Sequence, residues 1–353
     1  MTPLSPSTVP QPTAAAGYIG RFAPSPTGPL HAGSLVAALA SYLDARAHQG
    51  RWLLRIEDVD TPRVKKGATE AILAVLHQLG MRHDGEPSFQ SAGRARYAAA
   101  LDRLRAAGQV YPCGCTRAEL ADSRLNWGTP GDADRGAAAK RSAHAGDEPP
   151  GRELIYPGTC RHGLPSGRSA RSWRVRVPAG PIQWLDRSGR THHDDLQSSV
   201  GDFVVYRADG IWAYQLAVVV DDGIQSVTDV VRGCDLEGST SRQIHLQELL
   251  GLPRPRYLHI PVVLAANGQK LSKQTGAAPI DLSQPVRVLN DAMTHLGLEP
   301  VQTDSLTTFW HRATERWATS VYMQSATRPS HLAASRRQSS HPDRRSPGGT
   351  PAD

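Results

Sequence analysis

A strand, a rigid loop and a helix follow one another near the start of this 353-residue chain, and this succession most constrains its fold. Residues 19–23 are a short strand candidate. The next segment, 24–29, holds three prolines and one glycine, which favour a tight loop. Leucines then recur at every fourth position from Leu35 to Leu43, which predicts an amphipathic helix ending near Gly50. Such a unit predicts an α/β protein that leaves a helix N-terminus open to an anion.

The same alternation continues along the chain. A buried strand is predicted at 52–56 and helices at 67–79 and 94–107, which favours a parallel sheet. Further on, a hairpin turn at 208–210 leads into the apolar run 211–220, which we interpret as the second strand of that hairpin. The remaining strand candidates are 173–177, 182–185, 203–206 and 257–264, and further helices are predicted at 240–250, from Ser283 and from Asp304.

Composition sets the limits of the ordered regions and of the function. The net charge of +7 permits a nucleic-acid partner without requiring one. No apolar run is long enough to span a membrane, and four cysteines in so long a chain indicate a reducing cytoplasm. The predicted divisions are a disordered tail at 1–17, a flexible insertion at 126–151, a helical part at 283–322 and a disordered basic tail at 325–353.

Two short motifs have the residue types that phosphate binding needs. His31 and Gly33 stand at the start of the first predicted helix, where free N–H groups attract anions. Far downstream, Lys270, Ser272 and Lys273 stand close together after the strand candidate at 257–264, and their side chains can reach phosphate oxygens. Taken singly, each motif is more often an ordinary solvated loop.

Together with three further motifs, these segments resemble the class I aminoacyl-tRNA synthetases, and within them the glutamyl-specific branch. The matching stretches are R-F-A-P-S-P-T-G from Arg21, R-I-E-D-V-D from Arg55, V-V-R-G from Val230 and K-L-S-K from Lys270. The resemblance implies a Rossmann-like nucleotide-binding catalytic domain in two halves, 18–110 and 196–282. Between them it implies an inserted zinc-binding subdomain at 111–195, which contains the flexible insertion. It also implies an ATP-dependent ligase that activates L-glutamate as an adenylate, with Mg²⁺ accompanying the ATP.

The chain is most similar to the short members of that branch, which transfer glutamate to the queuosine base of tRNA(Asp). The serine at position 34, the Lys273-Gln274 pair and the limited length after Lys273 carry this likeness, which implies that no anticodon-binding domain is present. We expect a cytoplasmic monomer with no membrane contact. The alternatives are a truncated conventional glutamyl-tRNA synthetase that charges a tRNA 3′ end, and a non-catalytic tRNA-binding protein on the same fold.

Carried over residue by residue, the resemblance implies two groups of site residues. His31 and Lys273 would stabilise charge on the ATP phosphates. Either Arg21 or Arg232 would bind a carboxylate of glutamate, and Glu57 would bind its ammonium group. The full glutamate-binding set is Arg21, Phe22, Ala23, Pro24, Ser25, Glu57, Tyr214 and Arg232, and the ATP-binding set is His31, Gly33, Ser34, Lys270, Ser272 and Lys273.

Three cysteines form a candidate zinc site. Cys113, Cys115 and Cys160 supply three thiolates from two separate segments, a common arrangement around tetrahedral Zn²⁺. The resemblance implies Tyr156 as the fourth ligand, while His162 is the chemically more usual one. Cys234 stands apart and is expected to be a buried small residue.

Overall fold

The computed structural model describes residues 17–116, 118–120, 155–264 and 280–323. The predictions for the two tails, for the insertion at 126–151 and for Lys270, Ser272 and Lys273 concern positions outside these ranges. No helix within the described residues is long and apolar enough to cross a membrane.

Strands and helices alternate over most of the described chain. The strands are β1 (Ile19–Phe22), β2 (Arg51–Ile56), β3 (Ser88–Phe89), β4 (Val110–Cys113), β5 (Ser172–Val175), β6 (Ile182–Leu185), β7 (Thr191–Asp194), β8 (Val204–Tyr206), β9 (Asp229–Gly233) and β10 (Arg256–Ile260). The helices are α1 (Ala32–Ala47), α2 (Ala68–Gln78), α3 (Arg94–Ala106), α4 (Leu196–Ser199), α5 (Tyr214–Ile224), α6 (Glu237–Leu250), α7 (Pro285–His295) and α8 (Leu306–Ala318).

Two parallel sheets position the site. One has the strand order β1-β2-β3 and the other pairs β9 with β10. They meet where the Thr228 amide donates to the Ile19 carbonyl at 2.9 Å. Because parallel strands end at a common edge, the residues that follow β1, β2 and β9 converge there, and such edges are where α/β proteins bind ligands.

Helix α1 lies at the centre of the larger apolar core. It contacts β1, β2 and β9 as well as α7 and α8. Leu35, Leu39 and Leu43 are buried, and Ala38 and Ala40 between them are fully buried too. Because α1 is buried on nearly all sides, the helices α7 and α8 that contact it are part of the same folded body as the parallel sheets.

The segment between the two halves of the predicted catalytic domain is antiparallel. β5 pairs with both β4 and β8, and β6 and β7 form a separate hairpin. A second apolar core joins this region to α3, α5 and α6. A small third cluster contains Tyr111, Cys113, Tyr156 and Cys160.

Most predicted elements are confirmed, with shifts of a few residues at their ends. The exception is the apolar run 211–220, where the predicted strand is wrong because α5 begins at Tyr214. The turn itself is present, since Gly210 has a φ of +78° and Tyr206 forms a bridge with Trp212. Residues 216–220 are all buried, so they show neither the two-residue nor the 3.6-residue period that separates strands from helices.

Candidate active site

The loop after β1 is held against the end of β2. The Glu57 amide donates to the Pro24 carbonyl at 3.0 Å, and the Lys65 amide donates to the Pro26 carbonyl at 2.9 Å. Both accepting carbonyls belong to prolines of the loop 24–29. These two bonds bring the two motifs that begin at Arg21 and Arg55 to the same sheet edge.

A cavity of about 400 Å³ opens at this edge. Its wall contains every predicted glutamate- or ATP-binding residue that the structure describes. They come from the end of β1 and the loop after it, the N-terminus of α1, the residue after β2, the start of α5 and the last residues of β9. These lining residues are Arg21, Phe22, Ala23, Pro24, Ser25, His31, Gly33, Ser34, Glu57, Tyr214 and Arg232.

The N-terminus of α1 forms one wall of the cavity. His31 is the N-cap residue, and its Nδ1 accepts the Ser34 amide at 3.4 Å. The Ser34 hydroxyl oxygen lies 3.1 Å from His31 Nε2. Sixteen helical residues follow, so the helix dipole and the first free amides favour an anion at this wall.

Two arginines and two carboxylates form a buried network beside the loop. Arg21 contacts Asp222 through Nε at 3.2 Å and through Nη2 at 3.4 Å. Arg55 donates to the same carboxylate at 2.7 Å and to Glu57 at 3.3 Å. The four charges sum to zero, so the positive charge of Arg21 is largely compensated within the protein.

Burial and these partners shift the acid groups in opposite directions. Burial raises the pKa of Glu57, and the nearby arginines only partly offset it. Asp222 is also buried, but Arg21 and Arg55 outweigh burial and lower its pKa. Burial and the Glu57 charge both raise the pKa of the Tyr214 hydroxyl. As pH falls, Glu57 therefore loses its charge before Asp222 does.

Arg232 has a different environment. Its Nη1 donates to Gln243 at 2.8 Å, its Nη2 to Thr240 at 2.9 Å and its Nε to His259 at 3.2 Å. Burial lowers the pKa of His259, so all three of these partners are uncharged near neutral pH. Arg232 thus brings a buried positive charge to the cavity wall without a hydrogen-bonded carboxylate among these partners.

Several residues at the site were not predicted from the sequence. Asp222 contacts Arg21 and His259 contacts Arg232, while the last residue of β10 and the three that follow it, 260–263, line the cavity. The adjacent acids Asp221 and Asp222 at the end of an apolar run were an available signal. Nothing in the local pattern connected them with Arg21.

The predicted thiol cluster is assembled. The sulfur atoms of Cys113, Cys115 and Cys160 all lie within 4.8 Å of one another, and Cys115 and Cys160 are 3.7 Å apart. Zinc–sulfur bonds of about 2.3 Å in a tetrahedron require sulfur–sulfur separations of about 3.8 Å. The spacing fits a zinc ion.

Tyr156 completes this cluster better than His162 does. Its hydroxyl oxygen is 3.5 Å from Cys113 Sγ and 3.9 Å from Cys115 Sγ. The backbone of Tyr156 packs closely against Gly201, which has a φ of +71°. A Cβ added to Gly201 would lie 2.4 Å from the carbonyl oxygen of Tyr156, so no larger residue fits there. His162 is exposed, and among the described residues the group with metal-ligand spacing does not include it.

A cation lies beside the thiols. Arg174 Nε is 3.3 Å from Cys113 Sγ, and its guanidinium lies 3.8 Å from the Tyr156 ring centroid. Burial raises the pKa of the Cys113 thiol, but its hydrogen bonds with Tyr156, the Cys115 backbone and Arg174 outweigh burial and lower that pKa to about 7. This environment favours the thiolate that a metal ion requires. Cys234 lies apart, and it is partly rather than fully buried, so that expectation is wrong.

The sequence model of the tRNA synthetases class I (E and Q), catalytic domain, matches residues 19–296. The chain belongs to this family. A relative from Janthinobacterium sp. (strain Marseille), named glutamyl-Q tRNA(Asp) synthetase, is 55% identical over 85% of this chain and 97% of its own length. One of the same name from Aromatoleum aromaticum is 54% identical over 86% of this chain and 90% of its own.

The fold of this chain is also found in a solved structure. The glutamate-tRNA synthetase from Elizabethkingia anophelis superposes with a TM-score of 0.68 at 24% identity, over 87% of this chain and 66% of that one. This likeness concerns the fold.

Proposed function

We propose that this synthetase uses ATP to convert L-glutamate into glutamyl-adenylate and transfers the glutamyl group to the queuosine base of tRNA(Asp). The observation that carries the proposal is the 55% identity over 97% of the length of a relative named for this activity. The cavity supports it, because motif residues from five separate elements line one space at the sheet edge.

We propose that Arg232, rather than Arg21, is the main partner of the side-chain carboxylate of glutamate. A buried cation with neutral partners gains most from an incoming carboxylate, and a planar guanidinium suits it. Arg21 already contacts Asp222 and would help to shape the pocket. The Glu57 carboxylate would accept hydrogen bonds from the substrate ammonium.

The phosphates of ATP would lie at the N-terminus of α1. An oxygen of the glutamate α-carboxylate attacks the α-phosphorus, and the bond to pyrophosphate breaks. His31, Ser34 and the free amides of α1 face that side, while Lys270, Ser272 and Lys273 are expected from the family resemblance to complete it. Mg²⁺ bound to ATP would neutralise phosphate charge. In the second step a hydroxyl of queuosine attacks the glutamyl carbonyl carbon, and AMP leaves.

We also propose one structural zinc ion held by Cys113, Cys115, Tyr156 and Cys160. Its task would be to fix the loops that carry these residues, since the third apolar cluster around them is small. The division into domains, the monomeric state and the cytoplasmic location remain predictions.

Two assays test the activity. Glutamate-dependent ATP–pyrophosphate exchange without tRNA is expected in the purified protein, and its absence would contradict both enzymatic alternatives. Transfer of labelled glutamate should then occur to tRNA(Asp) carrying queuosine and not to the same tRNA without the modification. Charging of tRNA(Glu) at its 3′ end instead would identify a conventional synthetase.

A further inference from the structure

Two buried side chains help to hold Arg232 in place, His259 directly and Asp186 through its contact with His259. Neither has a role in the proposed chemistry. His259 is its cross-strand partner in the parallel pairing of β9 with β10. Asp186 follows β6 and forms an isolated parallel bridge with Tyr257, so it reaches the same sheet from the inserted segment. The side chains of both His259 and Asp186 are fully buried.

Asp186 determines which imidazole nitrogen carries the proton. Its Oδ2 lies 2.7 Å from His259 Nδ1 and also accepts the His259 backbone amide at 3.1 Å. Burial opposes ionisation of Asp186, but hydrogen bonds from His259 and Ser188 lower its pKa. An ionised Asp186 requires a hydrogen on Nδ1, and in the neutral imidazole the lone pair is then on Nε2.

That lone pair faces Arg232. His259 Nε2 is 3.2 Å from Arg232 Nε, and the Thr240 hydroxyl lies 3.3 Å from the same nitrogen. Together with Gln243 and Thr240, His259 fixes the guanidinium at three points. A guanidinium held in this way has little freedom to rotate away from the cavity.

We infer that Asp186 and His259 act as a positioning pair that aims Arg232 at the carboxylate of the amino-acid substrate without neutralising its charge. The inference rests on the proposed function, which supplies that carboxylate. The contrast with Arg21 supports it, because Asp222 contacts Arg21 directly and compensates its charge. In the Arg232 chain, a neutral imidazole separates the acid from the guanidinium.

The test compares His259→Leu and His259→Gln with the wild type in tRNA-independent ATP–pyrophosphate exchange. His259→Leu removes the acceptor and should raise the KM for glutamate roughly tenfold, while the KM for ATP stays within about twofold. His259→Gln places an amide oxygen near the same point and should recover most of the loss. Equal increases in both KM values would overturn the positioning role.

His245→Leu is the matched control. It also removes a buried imidazole, one whose Nε2 contacts the Arg176 carbonyl at 2.7 Å and not Arg232. We expect it to lower stability while leaving the KM for glutamate unchanged. If His259→Leu has the same KM for glutamate as the wild type, the inference is contradicted and the proposed function is not. If the wild type shows no ATP–pyrophosphate exchange, the proposed function is contradicted.

Two further measurements, one of them without turnover, cover the case in which His259→Leu does not fold. In the wild type, the ¹⁵N shifts of His259 should show a protonated Nδ1 and an unprotonated Nε2 near pH 7. Asp186→Asn should weaken this preference and raise the KM for glutamate. An imidazolium in the wild type, or an unchanged KM in Asp186→Asn, would contradict the inference.

Discussion

At the scale of single residues, the two arginines of the cavity differ in what surrounds them. Both are buried and both belong to family motifs. Arg21 contacts a carboxylate, whereas the side-chain partners of Arg232 are neutral. Since a buried ion pair is costly to break and a buried cation with neutral partners favours an anion, the two residues should respond differently to substitution.

Arg232→Lys should raise the KM for glutamate by about 100-fold, because one ammonium cannot replace three fixed donors and a planar fork. Arg21→Lys should act mainly on stability, through the contact with Asp222. Exchange kinetics and urea unfolding of both variants separate the two effects. A larger glutamate KM in Arg21→Lys than in Arg232→Lys would contradict this assignment.

Glu57 should control the acid side of the pH profile. Burial raises its pKa, so it loses its charge at a higher pH than an ordinary glutamate, whose pKa is about 4.3. Because the charged form would bind the substrate ammonium, kcat/KM for glutamate should fall as pH decreases through this raised value. Glu57→Gln should have weak activity that no longer falls in this way at low pH. If the same fall in kcat/KM persists in Glu57→Gln, a group other than Glu57 causes it.

At the scale of elements, one carboxylate links α1 to α8 and to the turn between β6 and β7. Asp44 on α1 accepts hydrogen bonds from Arg187 at 2.6 and 2.9 Å and from the Trp317 indole at 3.0 Å. Tyr18, just before β1, donates to it as well. Asp44 is fully buried, so its partners would otherwise be unsatisfied polar groups in the core.

Asp44→Asn should lower the free energy of unfolding by about 3 kcal/mol, because it leaves Arg187 buried with a weaker partner. The exposed pair of Asp102 with Arg105 provides the control, and Asp102→Asn should cost less than about 0.5 kcal/mol. Urea unfolding near neutral pH measures both. A cost for Asp44→Asn as small as that of the control would refute this role.

The same residue predicts a pH dependence of stability. Burial opposes ionisation of Asp44, but its bonds from Arg187, Tyr18 and Trp317 lower the folded-state pKa. A carboxyl group whose pKa is lower in the folded state stabilises the protein fully above its unfolded-state pKa of about 3.9. This stabilisation is lost as pH falls through its folded-state pKa. The stability difference between wild type and Asp44→Asn should therefore narrow in acid, as unfolding at several pH values would reveal.

The loops around the thiol cluster carry a second element-scale prediction. Cys113→Ser should abolish zinc binding and lower the melting temperature, and Tyr156→Phe should weaken zinc binding by at least about tenfold. His162→Ala should leave it unchanged, because His162 is exposed and apart from the cluster. Metal analysis after gel filtration and competition with a chelator give the answer, and zinc loss in His162→Ala alone would reverse the ligand assignment.

At the scale of the whole molecule, the chain spans about two-thirds of the glutamate-tRNA synthetase structure that shares its fold. If the catalytic body itself meets the modified anticodon arm, an isolated anticodon stem–loop of tRNA(Asp) carrying queuosine should accept glutamate. An acceptor-stem minihelix of the same tRNA should not. Transfer to the minihelix would contradict the proposed acceptor.

Local patterns predicted the elements that depend on neighbouring residues. Prolines and a glycine define the loop after β1, and the leucines of α1 lie on a helical spacing. The run that contains α5 was predicted wrongly because all of Leu216–Val220 is buried, and burial on every side removes periodicity. The thiol ligands were predicted because their spacing and the family resemblance agreed.

The sequence by itself determined the family, the strand–loop–helix unit and the motif residues that line the cavity. Its motifs are short and contiguous, so neighbouring side chains and backbone preferences define them. Only the tertiary structure decided which arginine is paired with a carboxylate and which has neutral side-chain partners. Arg21 meets Asp222 from 201 positions away, and Arg232 meets His259 from 27 positions away, across a parallel pair of strands. The interaction energy of two charges depends on their distance in space, and local sequence patterns do not contain that distance.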